Sequence, residues 1–291
     1  MMNAHDTAPT SRTTAAHGRR YSLAYLTSST CTAIGAVQLA AELGYVGVGL
    51  RLLPNTPGGA CQALLDNPAA QREVKAVLRD TGVCVLDLEI IRIGPDFDPA
   101  HYAPLLDMGA ALGAQAVLVA GDDTDRARLA DAYGRLCEAM MPTGMTADLE
   151  FMPWTGVPHA RAALDVVERA GRPSNAGILI DALHVDRSDT SLEDLRSVPR
   201  ELLHYAQICD APGAARVGRP FTTEEMIHTA REARLPPGEG DIDLQALFAA
   251  LPADLPVSVE VPHAVRLPLV GQRQWAQDML SAARALQLGA G

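Results

Sequence analysis

AGILIDALH, residues 176–184, is the stretch on which the fold turns. Five small or aliphatic residues, Ala176 to Ile180, run without polar interruption into Asp181, and Ala-Leu-His follows. A short run with no polar face suits a strand covered on both sides, as in a parallel sheet flanked by helices. Three further segments repeat the plan: MTADLEF at 145–151 delivers Glu150, LLHYAQICDAP at 202–212 delivers Gln207, and LPVSVEVPH at 255–263 delivers Glu260. In each, a run rich in Val, Ile, Leu or Ala ends in a residue able to bind a metal.

Outward from these segments, strand-like and helix-like patterns alternate from Tyr21 to the C-terminus, the signature of parallel βα units. Strands are expected near 21–26, 46–51, 83–90, 115–120, 145–151, 176–181, 203–208 and 256–261. Helix patterns such as AVQLAAELG and PAAQREVKAVLRDTG lie between them, several ending in a glycine stop at Gly44, Gly82, Gly113 and Gly171. Eight such units match a closed barrel, for which roughly 250 residues is typical. The competing open, doubly wound sheet commonly carries a Gly-rich phosphate loop after its first strand. The segment after Tyr25 reads LTSST, and Gly121-Asp-Asp lacks the spacing of a dinucleotide fingerprint or P-loop. The expected fold is therefore α/β, a single (β/α)8 TIM barrel over 21–291, preceded by a disordered tail over 1–20. An insertion near 211–242, between the seventh and eighth strands, is expected to shape or cover the barrel mouth.

Composition narrows the function. With 291 residues and 48% hydrophobic content the chain supports a substantial core. A formal charge of -11, from 24 basic and 35 acidic residues, argues against a nucleic-acid partner, whose binding rests on phosphate neutralisation. Cys31, Cys61, Cys84, Cys137 and Cys209 are odd in number and widely spaced, and read as reduced core cysteines of a cytoplasmic protein. No apolar stretch has transmembrane length, so no membrane partner is expected. A small-molecule substrate remains, and exposed barrel faces leave room for a homo-oligomer.

In a barrel the C-terminal strand ends converge on one mouth, which would bring Glu150, Asp181, Gln207 and Glu260 together. Three carboxylates there would repel one another unless a cation neutralised them. Oxygen donors favour Mg²⁺ or Mn²⁺, with Co²⁺ or Zn²⁺ as alternatives. Singly, each residue also reads as a helix cap or salt-bridge partner; recurrence at four successive strand ends favours the metal.

On these residues the sequence resembles the xylose-isomerase-like TIM-barrel superfamily, often called sugar phosphate isomerases/epimerases. The resemblance spans about residues 21–287. It includes AAELGYVGVGLR, Glu150 after the fifth strand, Asp181-Ala-Leu-His184, the Q-x-x-D of Gln207 to Asp210, the PGEG turn at Pro237 to Gly240, and Glu260 in VSVEVP. It implies a divalent metal on Glu150, Asp181, Gln207 and Glu260, with the two glutamates also handling protons. Many members carry His where this chain has Gln207, a weaker neutral donor. A narrower resemblance, to 3-dehydroshikimate dehydratases, rests on Glu150-x-x-x-Trp154, on Q-x-x-D-A-P at Gln207 to Pro212, and on Arg231 and Arg234 before PGEGDIDL.

The chemistry expected of this inventory is removal of a proton beside a metal-held carbonyl through an enediolate. Glu150 and Glu260 are the candidate base and acid, with His184 as second base or hydrogen-bond donor. Arg51, Glu89, Trp154, Arg231 and Arg234 are candidate substrate contacts; the arginines suit a carboxylate or phosphate. Each has a plainer reading, as an ion pair for the charged residues and as core for Trp154. The leading expectation is an isomerase or epimerase of a small polyhydroxy carbonyl compound. The alternative is a dehydratase of a cyclic hydroxy-ketone, of the 3-dehydroshikimate or inosose type. An abasic-site endonuclease fits the acidic charge poorly, and a noncatalytic binding protein is the remaining class.

Overall fold

Alternation along one strand shows how the interior is filled. In Thr146–Glu150 (β5), Ala147 and Leu149 join the main apolar core, while the intervening Asp148 and Glu150 are buried polar residues. Successive strand side chains face opposite ways, so β5 presents aliphatic groups to the helices and carboxylates to the bore. The computed structural model describes residues 19–56 and 58–288. The other strands are Tyr21–Leu23 (β1), Gly47–Leu50 (β2), Cys84–Ile93 (β3), Ala116–Gly121 (β4), Ala176–Asp181 (β6), Ala206–Ile208 (β7) and Val257–Val259 (β8). All pairings are parallel and run in chain order, with β8 closing on β1. The expected eight-stranded barrel is the observed one.

A small apolar cluster, Leu86, Ala116, Leu118, Leu179 and Tyr205, stands apart from the main core and packs one side of the bore. The helices outside it begin and end as their residues dictate. Asn67, Asp125 and Thr222 accept backbone N–H groups at N-termini, and Gly44, Gly82 and Gly113 take the left-handed conformation that closes three helices.

Three strands are shorter than their apolar runs. β1, β7 and β8 each hold three paired residues; beyond β7 and β8 the chain leaves the barrel ladder and pairs instead with the returning end of the insertion. Asp210 pairs antiparallel with Leu235, and Ala233 with His263, so the returning chain is tied to both strand ends. β3 runs on to Ile93 because Arg92 and Ile93 continue pairing with Ala120 and Gly121. It also carries an extra residue against β2: Val48 faces Val85, but Gly49 faces Asp87. The insertion holds two helices, Ala214–Val217 and Thr223–Glu232.

The cysteine reading needs correction. Cys137 and Cys209 are buried, Cys31 and Cys84 are half-buried, and Cys61 is exposed. Cys61 lies in an irregular stretch after β2, where its side chain is left open to solvent. The tail expected over 1–20 lies outside the described residues up to position 18; Arg19 donates to the carbonyls of Phe248 and Pro252 at 2.9 and 3.1 Å. Among the described residues no helix is long and apolar enough to cross a membrane.

Candidate metal centre and active site

Glu150 ends β5, Asp181 ends β6, Gln207 lies in β7, and Glu260 follows β8 by one residue. All four are at most 4% exposed. Asp181 Oδ1 also accepts the backbone N–H of His184 at 3.0 Å and so caps the short helix Ala182–Arg187. The cap and the site are one device, because the turn that it stabilises brings His184 back over the strand ends. One ligand atom each from Glu150, Asp181 and His184 lies within 4.8 Å of the others.

Glu260 joins this group through two neighbours. Gln207 Nε2 donates to Glu260 Oε1 at 3.0 Å, and Arg234 bridges Asp181 Oδ2 at 2.5 Å and Glu260 Oε2 at 2.8 Å. Arg234, expected to grip substrate, is 2% exposed and serves as a fixed counter-charge. Its backbone N–H donates to Pro262 O, and its neighbour Leu235 is paired with Asp210. Asp210 in turn accepts from Ala211 and Ile242 through Oδ1 and from Gly238 through Oδ2, which explains why Q-x-x-D and PGEG occur together. Gly240 is obligatory here, since a Cβ would strike Asp210 and the Ala211 backbone.

Burial sets the charge states. It pushes Glu150 well above the usual carboxyl range, helped by Asp181 and Glu260 nearby. It raises Glu260 to about 8 although Arg234 opposes the shift. For Asp181, burial is outweighed by Arg234 and His184, and the carboxyl stays below its ordinary value. His184 is pushed down to about 4 by burial and is therefore a neutral imidazole. Its Nε2 stands 3.6 Å from Glu150 Oε1, Nδ1 has no hydrogen-bond partner among the described residues, and the ring meets Trp154 edge-on at 5.2 Å.

These residues fit a divalent cation. One guanidinium, paired with Asp181 and Glu260 but not with Glu150, stands among three carboxylates and leaves two negative charges over if all ionise, and Gln207 Oε1 is a buried acceptor with no hydrogen-bond partner among the described residues. An unmet buried oxygen beside unbalanced carboxylates is what a hard cation satisfies.

Above lies a cavity of about 300 Å³ that brings together Arg51, Glu89, Glu150, Trp154, His184, Arg231, Arg234 and Glu260. Asp181 and Gln207 do not line it; they sit fully buried beneath. Arg51 donates to Glu89 at 2.9 Å and stacks over Tyr25, so both lining residues already have partners. Arg92 is held by Asp122 through two 2.6 Å bonds. Arg231 is exposed at the rim.

A closed barrel with acidic strand ends gathered at one mouth defines a TIM-barrel protein with a candidate divalent-metal site. The chain matches the family model for the xylose isomerase-like TIM barrel over residues 37–286 and belongs to that family. A curated relative, a 3-dehydroshikimate dehydratase of Pseudomonas aeruginosa, is 26% identical over 217 residues, or 68% of this chain and 32% of the relative. The chain thus spans about a third of that relative's length. Among solved structures, the IolI protein with a bound zinc atom superposes with a TM-score of 0.75 at 18% identity, over 92% of this chain and 98% of its own. A D-allulose 3-epimerase from Methylomonas sp., in complex with D-allulose, superposes at 0.65 and 18% identity over the same shares.

Proposed function

We propose that the protein is a divalent-metal-dependent isomerase or epimerase acting on a small polyhydroxylated carbonyl compound. The observation that carries this reading is the pair Glu150 and Glu260. Both carboxyl groups are buried, both have raised pKa values, and they enter one cavity from strands three places apart around the barrel. Such a pair can take a proton from one carbon of a bound substrate and return one to a different carbon or face. Glu150, Asp181, Gln207 through Oε1, and Glu260 would hold the ion, with Mg²⁺ or Mn²⁺ favoured by the oxygen set. When bound, it polarises the carbonyl and acidifies the neighbouring C–H.

The chain's own residues do the rest. His184, neutral and positioned by the Asp181 cap, offers an N–H to a substrate oxygen. Trp154 supplies an apolar wall, and Arg231 meets substituents at the rim. Arg234 holds Asp181 ionised, so proton traffic falls to the glutamates.

The Gln207-Ile-Cys-Asp-Ala-Pro string and the Pseudomonas aeruginosa relative favour a second reading, dehydration of a cyclic hydroxy-ketone. There the same deprotonation is followed by loss of a β-hydroxyl, protonated as it leaves. Proton NMR in D₂O with ketoses and cyclic hydroxy-ketones separates the two. Deuterium exchange without loss of water supports the isomerase, and growing enone or aromatic absorbance supports the dehydratase. Binding that survives Glu150→Gln, with no turnover by the unaltered protein, overturns both.

A further inference from the structure

Beneath the candidate metal centre the bore contains a carboxylate with no evident partner. Eight acidic side chains are buried among the described residues; Asp123 is held by Arg128 and Asp210 by three backbone N–H groups, and the other six are Asp87, Glu89, Asp148, Glu150, Asp181 and Glu260. Arg51 meets Glu89, His204 lies 2.6 Å from Asp148, and Arg234 meets Asp181 and Glu260. Glu150 belongs to the centre described above. Asp87 is 0% exposed, and neither of its oxygens has a hydrogen-bond partner among the described residues. Three hydroxyl oxygens share that condition: Ser22 on β1, Ser258 on β8, and Tyr205 just before β7, each at most 1% exposed.

The strands give these groups a common region. Ser22 is paired with Ser258 and with Gly47, and the next inward residue of β2 after Gly47 is Gly49. A Cβ on Gly47 would lie 3.1 Å from Ser22 Oγ, and one on Gly49 would lie 2.9 Å from Asp87 Oδ1. Ser22 and Asp87 therefore reach over the two side-chain-free positions of β2 from either side. Across the bore, Asp87 is the charged group that acts most strongly on the Tyr205 hydroxyl, after burial itself. Barrel interiors are normally filled by branched aliphatic residues; on this side they are replaced by glycine, serine and a carboxylate.

We propose that Asp87, with the hydroxyls of Ser22, Ser258 and Tyr205, forms a site for a monovalent metal cation, Na⁺ or K⁺, inside the barrel below the divalent centre. The donors are all oxygens, which hard cations prefer. A single carboxylate among neutral hydroxyls balances one positive charge, and an uncompensated buried carboxylate is among the costliest groups a fold can hold. The competitor for Asp87 is a proton, since burial and the neighbouring Glu89, Glu260 and Asp148 all raise its affinity for one.

Crystals of the full chain soaked in Tl⁺ are expected to show an anomalous peak between Asp87 and the serine hydroxyls. In solution with saturating Mg²⁺, the melting midpoint is expected to rise by about 3–6 °C when choline chloride is replaced by NaCl or KCl at equal ionic strength. The larger rise identifies the preferred ion, and Asp87→Asn should abolish both rises. No thallium peak, with equal midpoints in all three salts, overturns the proposal and leaves Asp87 a buried neutral acid.

Discussion

The two halves of the barrel mouth handle charge differently. On the β1–β4 side each carboxylate has its own arginine: Glu89 with Arg51, Asp122 with Arg92, and Asp123 with Arg128. On the β5–β8 side Asp181 and Glu260 share Arg234, while among the described residues Glu150 is paired with no arginine and the acceptor oxygen of Gln207 is unmet. Locally paired charge holds loops in place. Crowded and unbalanced charge is an arrangement that a fold keeps only at a cost in stability, and one that a bound cation would relieve.

Substitutions that preserve shape but change charge test this contrast most sharply. Glu150→Gln and Glu260→Gln should each lower kcat by about a thousandfold, whereas Asp122→Asn should leave turnover unchanged; steady-state kinetics on the identified substrate decide it. A comparable loss from Asp122→Asn would erase the distinction between the halves. Metal content should divide the same way. Elemental analysis after metal-replete dialysis should find about one divalent ion per chain in the unaltered protein and none in Asp181→Ala. Retention by the variant would move the site elsewhere.

Stability comes next in size. Arg234→Met strands two buried carboxylates and should cost about 3–5 kcal/mol in denaturant unfolding of metal-free protein. Arg51→Met strands one, in a pair that is partly open to water, and should cost about 2 kcal/mol. The smallest effect belongs to the rim: Asp122→Asn, in a pair a quarter to a third exposed, should cost less than about 1 kcal/mol and less still at high salt.

Much of this was legible in the residues. The eight apolar runs mark the eight strands, because a buried parallel strand has no polar face to disguise it. Glu150 and Asp181 end β5 and β6, Gln207 lies within β7 and Glu260 follows β8 by one residue, close to where the apolar runs stop. Arg234 was harder: an arginine before a turn reads as solvent-facing or substrate-facing, and its two acidic partners are 53 and 26 positions away in the chain. Its role depends on the antiparallel bridges that draw the insertion back over β7 and β8, which no local pattern announces. Asp87 left a fainter mark. In VCVLDLEI, Asp87 and Glu89 share a strand face, a signal for a polar bore, but the extra residue in β3 that sets Asp87 against Gly49 appears only once the strands are paired.

The Asp210–Leu235 bridge also bears on how this protein can change. It pins both ends of the segment from Ala211 to Arg234, so the length of that excursion is uncoupled from the placement of Arg234 and the Pro237–Gly240 turn. Closing a longer loop is inexpensive, since doubling its length adds only about 0.6 kcal/mol. Residues can thus be inserted or grafted around Arg219 to remodel the rim while the floor of the candidate site keeps its register. The excursion is the natural point of entry for laboratory evolution of specificity.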